Sequence, residues 1–183
     1  MISVRESLDE FDFFNSKGLR NADNTDCWDF NCAGLALDTF SWYSVYKNGN
    51  DCDDEAYEIG ELLDSYSLKE IYRIKLEEYV TKMLNDFSNL RVVEDEDELE
   101  DDERLIIFRI GIGVDYGYEE KYVSTDFHFR WYNKEEGHWY EKCGSSDIRI
   151  CDEEMEFDYW PCQGEDFSYD SEPVYLALKE RRN

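Results

Sequence analysis

The chain has 183 residues and a formal net charge of −27, because 46 acidic side chains are set against only 19 lysines and arginines. Such an excess of negative charge disfavours direct contact with nucleic acid or an anionic membrane and favours a basic protein partner, although it would also suit a soluble surface adapted to salt. Hydrophobic residues make up 42% and aromatic residues 16% of the chain, which excludes a wholly disordered protein and is enough for a buried core.

The cysteines and the N-terminus bear on the cellular compartment. Residues 1–9 contain no apolar signal core, and no apolar run has the length of a membrane-spanning helix. We therefore expect a cytoplasmic protein with reduced thiols, although an even number of cysteines would also allow three disulfides. The cysteines are Cys27, Cys32, Cys52, Cys143, Cys151 and Cys162.

In chain order, the pattern predicts helices first and strands afterwards. Small and apolar residues predict a buried helix over 31–46, and residues 51–65 are acidic and typical of a loop. A packing helix is predicted over 67–87, with Lys75 off its apolar stripe of Leu68, Tyr72, Leu76, Val80, Met83 and Phe87. Strand patterns between 90 and 178 predict an antiparallel sheet. The fold class is therefore α+β, a single domain over residues 1–183 with N-terminal helices packed on the sheet.

The chemistry is predicted to centre on one cysteine and one histidine. Cys32 follows Asn31 at the start of the first predicted helix, where the helix dipole favours a negatively charged thiolate, the nucleophilic form of sulfur. His128 lies inside a predicted strand, and a histidine within hydrogen-bond reach would complete a pair of nucleophile and base. His138, the other histidine, is a weaker candidate because it adjoins a turn.

The third residue depends on the register of the hairpin that contains His128. If the turn pairs Asn133 with His138, Glu141 becomes a diagonal neighbour of His128 on the same face and is placed to orient the imidazole. A slip of one residue would put Lys142 in that position. Glu141 is therefore the predicted third residue.

These motifs resemble the papain-like and NlpC/P60-like cysteine hydrolases, in which a cysteine opens a helix, a histidine follows on a strand, and a polar residue lies on the next strand. They are also similar to bacterial and phage proteins with an N-C-A-G-x-A-L stretch. The resemblance implies a papain-like core that cleaves amide or peptide bonds with Cys32 as nucleophile and His128 as base; Asn133 and Asp126 are alternatives to Glu141. A papain-like scaffold without activity, or an unrelated fold with a buried structural Cys32, would fit the same motifs. The motifs span residues 31–37, 126–128 and 137–144.

Two acidic stretches predict a binding face and an alternative function. Residues 94–103 are acidic at every position except Leu99, and residues 147–172 mix acids with aromatic rings, a combination that would steer and anchor a basic partner. In composition the chain is similar to acidic phage-type inhibitors that mimic DNA, anti-CRISPR proteins among them. The alternative is a non-catalytic inhibitor of a nucleic-acid-handling enzyme, with a face that comprises Glu94, Asp95, Glu96, Asp97, Glu98, Asp152, Glu153, Glu154, Asp158 and Trp160.

Neither a metal nor a cofactor is predicted. Cys27 and Cys32 have the widest spacing that a zinc knuckle allows, and the later cysteines are too far apart to supply a second pair of ligands. Gly111 and Gly113 follow an apolar strand but lack the rest of a phosphate-binding fingerprint.

Overall fold

The computed structural model describes residues 6–7, 29–47, 51–117, 121–134, 136–144, 147–151 and 168–179. Within these ranges the chain combines helices with an antiparallel sheet, so the α+β class is confirmed. The helices are α1 (Cys32–Ala36), α2 (Cys52–Leu62) and α3 (Leu68–Asp86). The strands are β1 (Glu6–Ser7), β2 (Leu90–Val93), β3 (Glu103–Tyr116), β4 (Lys121–Asn133), β5 (His138–Lys142), β6 (Ile148–Cys151) and β7 (Val174–Lys179).

The strands form one sheet in the order β1-β6-β5-β4-β3-β7-β2, and every neighbouring pair is antiparallel. The long hairpin of β3 and β4 lies at its centre, and the apolar run of β3 is buried as a central strand should be. The predicted limits of the sheet, 90 and 178, lie close to the start of β2 and the end of β7. Strand β1, which was not predicted, forms one edge of the sheet.

Most of the core lies on one face of the sheet. Residues of α1 and α3 pack there against alternate side chains of the central strands, among them Phe108, Phe129 and Trp131. Because successive side chains of a strand point to opposite faces, His128 and Arg130 belong to the other face. The central hairpin therefore carries an aromatic core on one side and buried ionisable groups on the other.

The predicted helix over 31–46 is too long. Helix α1 ends at Ala36 because the chain turns back at Asp38 and Phe40, whose φ angles are 57° and 47°. The N–H groups of Thr39 and Phe40 both donate to the carbonyl of Gly34, at 3.0 and 3.2 Å. The chain therefore folds back over Gly34 and does not continue as a helix.

The acidic segment predicted as a loop over 51–65 contains α2. Asp51 caps this helix by accepting hydrogen bonds from the N–H groups of Asp53 and Asp54, each at 3.0 Å. Acidic residues in the first turn are favoured by the positive end of the helix dipole. The acidic residues of this segment therefore belong to the start of a helix, and the prediction of a loop over 51–65 was wrong.

Helix α3 spans nearly the predicted 67–87, but its buried stripe differs from the predicted one. The residues that are buried are Ile71, Lys75, Tyr79 and Met83, whereas Leu68 is 37% exposed. Lys75, predicted to lie off the stripe, is fully buried because it forms ion pairs with glutamates of α2. The buried face of α3 is therefore rotated, relative to the predicted stripe, toward the glutamates of α2.

Substitution of Gly34 by alanine is expected to lower the free energy of unfolding by about 1–3 kcal/mol. A Cβ at this position would lie 2.1 Å from the backbone oxygen of Ser41, so the returning chain would have to move. Gly60 in α2 is the matched control, since its Cβ would meet only Val123 Cγ2 at 3.7 Å. Gly60→Ala should stabilise by about 0.5–1 kcal/mol. Urea denaturation measures both, and equal effects would contradict the close approach at Gly34.

Candidate functional site

Cys32 is the first residue of α1, and Asn31 fixes its position. The Asn31 side chain accepts a hydrogen bond from the N–H of Gly34 at 3.0 Å and donates to the carbonyl of Tyr43 at 2.8 Å. The cysteine is 5% exposed, and its thiol donates to the backbone oxygen of Phe127 at 3.8 Å. The asparagine before Cys32 is therefore a helix cap that ties the cysteine to a neighbouring loop.

His128 lies on β4, where the ladder with β5 has just ended at the pair Arg130 and Glu141. Helix α1 packs against β4 and β5, and Cys32 lies where β4 has parted from β5, with its Sγ 3.8 Å from the backbone oxygen of Phe127, so the thiol approaches His128 from this strand edge. His128 is 1% exposed, lies close enough to Cys32 for the cysteine to raise its pKa, and has its Nε2 3.4 Å from Oε2 of Glu141. The structure thus brings the three predicted catalytic side chains together.

The hairpin register is the one predicted from the sequence. Asn133 pairs with His138 and Arg130 pairs with Glu141, so the alternative slip does not occur. Gly137 closes the turn with a φ of 71° and an N–H that donates to the carbonyl of Asn133 at 2.9 Å. Register is the reason that Glu141 shares a face with His128.

Arg130 is a further member of the site. Its Nε and Nη2 lie 2.8 and 2.7 Å from Oε2 of Glu141, the oxygen that also faces His128. Both partners of this ion pair are buried, which gives a planar guanidinium a firm hold on the carboxylate. The sequence signal was the opposite charge of the two residues across the hairpin, but the shared oxygen is visible only in the structure.

The electrostatics of the site favour a protonated histidine. Burial alone disfavours the imidazolium, but the interactions of His128 with Cys32, Glu141 and Cys143 outweigh it, and together raise the pKa of His128 to about 10. The imidazole is therefore positively charged at neutral pH. Helix α1 has only five residues, so its dipole adds little positive charge at the sulfur.

Tyr169 is the second residue that sequence reasoning missed. Its ring is buried and lies 5.4 Å from the imidazole of His128, tilted by 32°. Its hydroxyl donates to Oδ2 of Asp126 at 2.6 Å, so this aspartate, one of the alternatives to Glu141, is engaged by Tyr169. Asn133, the other alternative, holds Glu136 of the turn. The described bonds therefore favour Glu141 as the partner of His128.

The acidic face is only partly described. Residues 94–98 are all exposed and include a 3-10 helix, Glu96–Glu98, that Asp95 caps. The rest of the same run is partly neutralised, because Arg91 binds Glu103 and Lys179 binds Glu100. The other predicted members of the face lie outside the described residues: Asp152, Glu153, Glu154, Asp158 and Trp160.

Comparisons with protein-family models, with curated protein sequences and with solved structures found no match to this chain. Among the described residues, no group of three or more His, Cys, Asp or Glu side chains is arranged to hold a metal ion. The described helices are too short or too polar to cross a membrane. The cysteines with described side chains, Cys32, Cys52 and Cys143, carry free thiols.

Proposed function

We propose that the protein is a cysteine hydrolase with a papain-like core that cleaves amide or peptide bonds through Cys32. The observation that carries the proposal is the position of this cysteine, at a helix start and beside the backbone of β4, close enough to raise the pKa of a buried His128 whose Nε2 faces Glu141. A thiol and an imidazole oriented by a third polar group are the parts that nucleophilic catalysis by sulfur requires. Glu141 is acidic, and Arg130 holds it in place.

In the proposed reaction the thiolate of Cys32 attacks the carbonyl carbon of the scissile bond, and the electron pair of the C=O bond moves to oxygen. The backbone N–H of Cys32, which has no intrahelical partner at a helix start, stabilises this oxyanion in the proposed reaction. The imidazolium of His128 donates its proton to the leaving nitrogen, the C–N bond breaks, and an amine departs from a thioester. The neutral imidazole then takes a proton from the water that attacks the thioester, the C–S bond breaks, the acid is released, and the pair of thiolate and imidazolium is restored.

Transfer of an acetyl group from p-nitrophenyl acetate tests the proposal without knowledge of the natural substrate. We expect a stoichiometric burst of nitrophenolate with acetyl on Cys32, located by peptide mass spectrometry. Cys32→Ser should abolish the burst, and His128→Ala should slow it by about a hundredfold, the contribution of a positioned acid–base group.

Cys52→Ser is the matched control, because this thiol is exposed and belongs to α2. It should leave the burst unchanged. Acetylation of Cys52 or of lysines in a folded protein whose Cys32 stays unmodified would contradict the proposal.

The exposed acidic residues 94–98 favour a second candidate function, the non-catalytic inhibition of a basic nucleic-acid-handling enzyme. These five acidic residues are adjacent in the sequence, and among the described residues most of them have no cationic side chain beside them. They therefore present a dense negative charge, as the phosphate backbone of a DNA duplex does. A papain-like scaffold that had lost its activity could retain such a surface. The acetyl-transfer experiment separates the two, since an inhibitor of this kind needs neither Cys32 nor His128.

A further inference from the structure

The segment Ser168–Ser171, which we call the strap, crosses the sheet at the position of His128. Besides the contact of the Tyr169 ring with the imidazole, the carbonyl of Tyr169 accepts a hydrogen bond from Nη1 of Arg109 at 3.3 Å. The N–H of Ser171 donates to the carbonyl of Ile110 at 3.2 Å, and Oγ of Ser171 accepts from the N–H of Ile110 at 3.0 Å. The strap is thus tied to the sheet by backbone and side-chain bonds.

All of these ties lie next to His128. Arg109 is its partner on the neighbouring strand, Ile110 is the next residue of β3, and Asp126, which holds the Tyr169 hydroxyl, precedes His128 by two positions on the same face. Tyr169 and Ser171 are 2% and 3% exposed, so the strap is seated on the sheet. Its anchors therefore surround the histidine of the proposed active site.

We propose that the strap is an autoinhibitory contact that closes the site of Cys32 and His128 and must detach before a substrate enters. Both side chains are almost fully buried, whereas a hydrolase has to admit the carbonyl of its substrate to the sulfur. The bond between Tyr169 and Asp126 joins a hydroxyl to a carboxylate and is among the stronger kinds of hydrogen bond, so it would hold the strap closed. The proposal rests on the proposed function only for the identity of the site that is closed.

The rate at which iodoacetamide alkylates Cys32 in the folded, full-length chain measures how often the site opens. Tyr169→Phe keeps the ring and removes only the hydroxyl, and we expect alkylation of Cys32 to become about tenfold faster. Asp126→Ala removes the same bond from the other side and should produce a similar increase. Peptide mass spectrometry separates Cys32 from the other cysteines.

Tyr43→Phe is the matched control, because the Tyr43 hydroxyl donates to Oδ2 of Asp86 at 2.9 Å on α3. It breaks this bond, and the one that the same hydroxyl accepts from Nζ of Lys82, away from β4, so any increase in rate due to a general loss of stability will appear in this variant too. The proposal that the strap closes the site is overturned if Tyr169→Phe and Asp126→Ala, both shown to be folded by circular dichroism, change the rate of Cys32 alkylation no more than Tyr43→Phe does. Failure of the proposed function is a separate result, an acetyl transfer that does not depend on His128.

Discussion

Replacement of Lys75 by alanine is expected to lower the free energy of unfolding by about 3–5 kcal/mol. Lys75 is fully buried, and its Nζ lies 2.6 Å from Glu55 and 2.7 Å from Glu58. Burial disfavours the charged amine, but these two glutamates outweigh it and hold the pKa of Lys75 above its ordinary value. Glu55 is also buried, and it accepts a hydrogen bond from the Tyr79 hydroxyl at 2.5 Å. Alanine would leave the charge of Glu55 buried without its cation.

Lys82→Ala is the matched control for this loss. Lys82 lies on the same helix and forms a 2.7 Å pair with Asp86, but both side chains are partly exposed to solvent. Removal of such a pair costs at most about 1 kcal/mol.

Addition of Glu55→Gln to the Lys75→Ala variant should recover part of the stability, because the glutamine amide still accepts the hydrogen bond from Tyr79 but carries no charge. Urea denaturation that gives the same loss for Lys75→Ala and Lys82→Ala would contradict the buried network.

Patterns confined to a short stretch of sequence gave reliable predictions. The predicted apolar strand before Gly113 and the predicted strand that contains His128 correspond to the central hairpin, and the helix predicted over 67–87 has Ser67 as its N-cap, in a capping box with Glu70. The register of β4 and β5 is the one supposed from the turn, with Asn133 paired to His138, and it places Glu141 beside His128. The proximity of these two residues therefore follows from local chemistry.

Features that depend on distant contacts were not predictable. Helix α1 stops where the chain returns over Gly34, and Lys75 is buried because α2 supplies its acids. Tyr169 reaches His128 from a segment far along the chain, through bonds to β3 and β4 that no pattern in either stretch reveals. The periodicity of a segment shows which residues are apolar, but not which partner will cover or charge-balance them.

His128 is expected to remain protonated until the pH approaches about 10. A buried imidazole without charged neighbours would titrate below its ordinary pKa of about 6.5, because burial penalises the cation. Removal of either interaction that favours the cation, by Cys32→Ala or by Glu141→Gln, should therefore lower the pKa of His128. In the second variant the Glu141 carboxylate no longer balances the buried positive charge of Arg130, which lowers the pKa of His128 further.

The same shift makes stability depend on pH. Because the pKa of His128 in the folded state, about 10, lies above its ordinary value of 6.5, its contribution to stability is complete below about pH 6.5. The contribution is lost as the pH rises through about 10. In Cys32→Ala the decline should be smaller and should end at a lower pH. Urea denaturation at a series of pH values measures this difference.

The most direct test of the pair of Cys32 and His128 is an NMR titration of the His128 imidazole. The chain has two histidines, so His138→Gln leaves a single imidazole signal to follow. The predicted result is a pKa near 10 in the otherwise unchanged protein and a lower value when Cys32→Ala is added. A His128 that titrates at or below about 6.5, or whose pKa does not respond to Cys32→Ala, would contradict the assignment of these two residues as nucleophile and base.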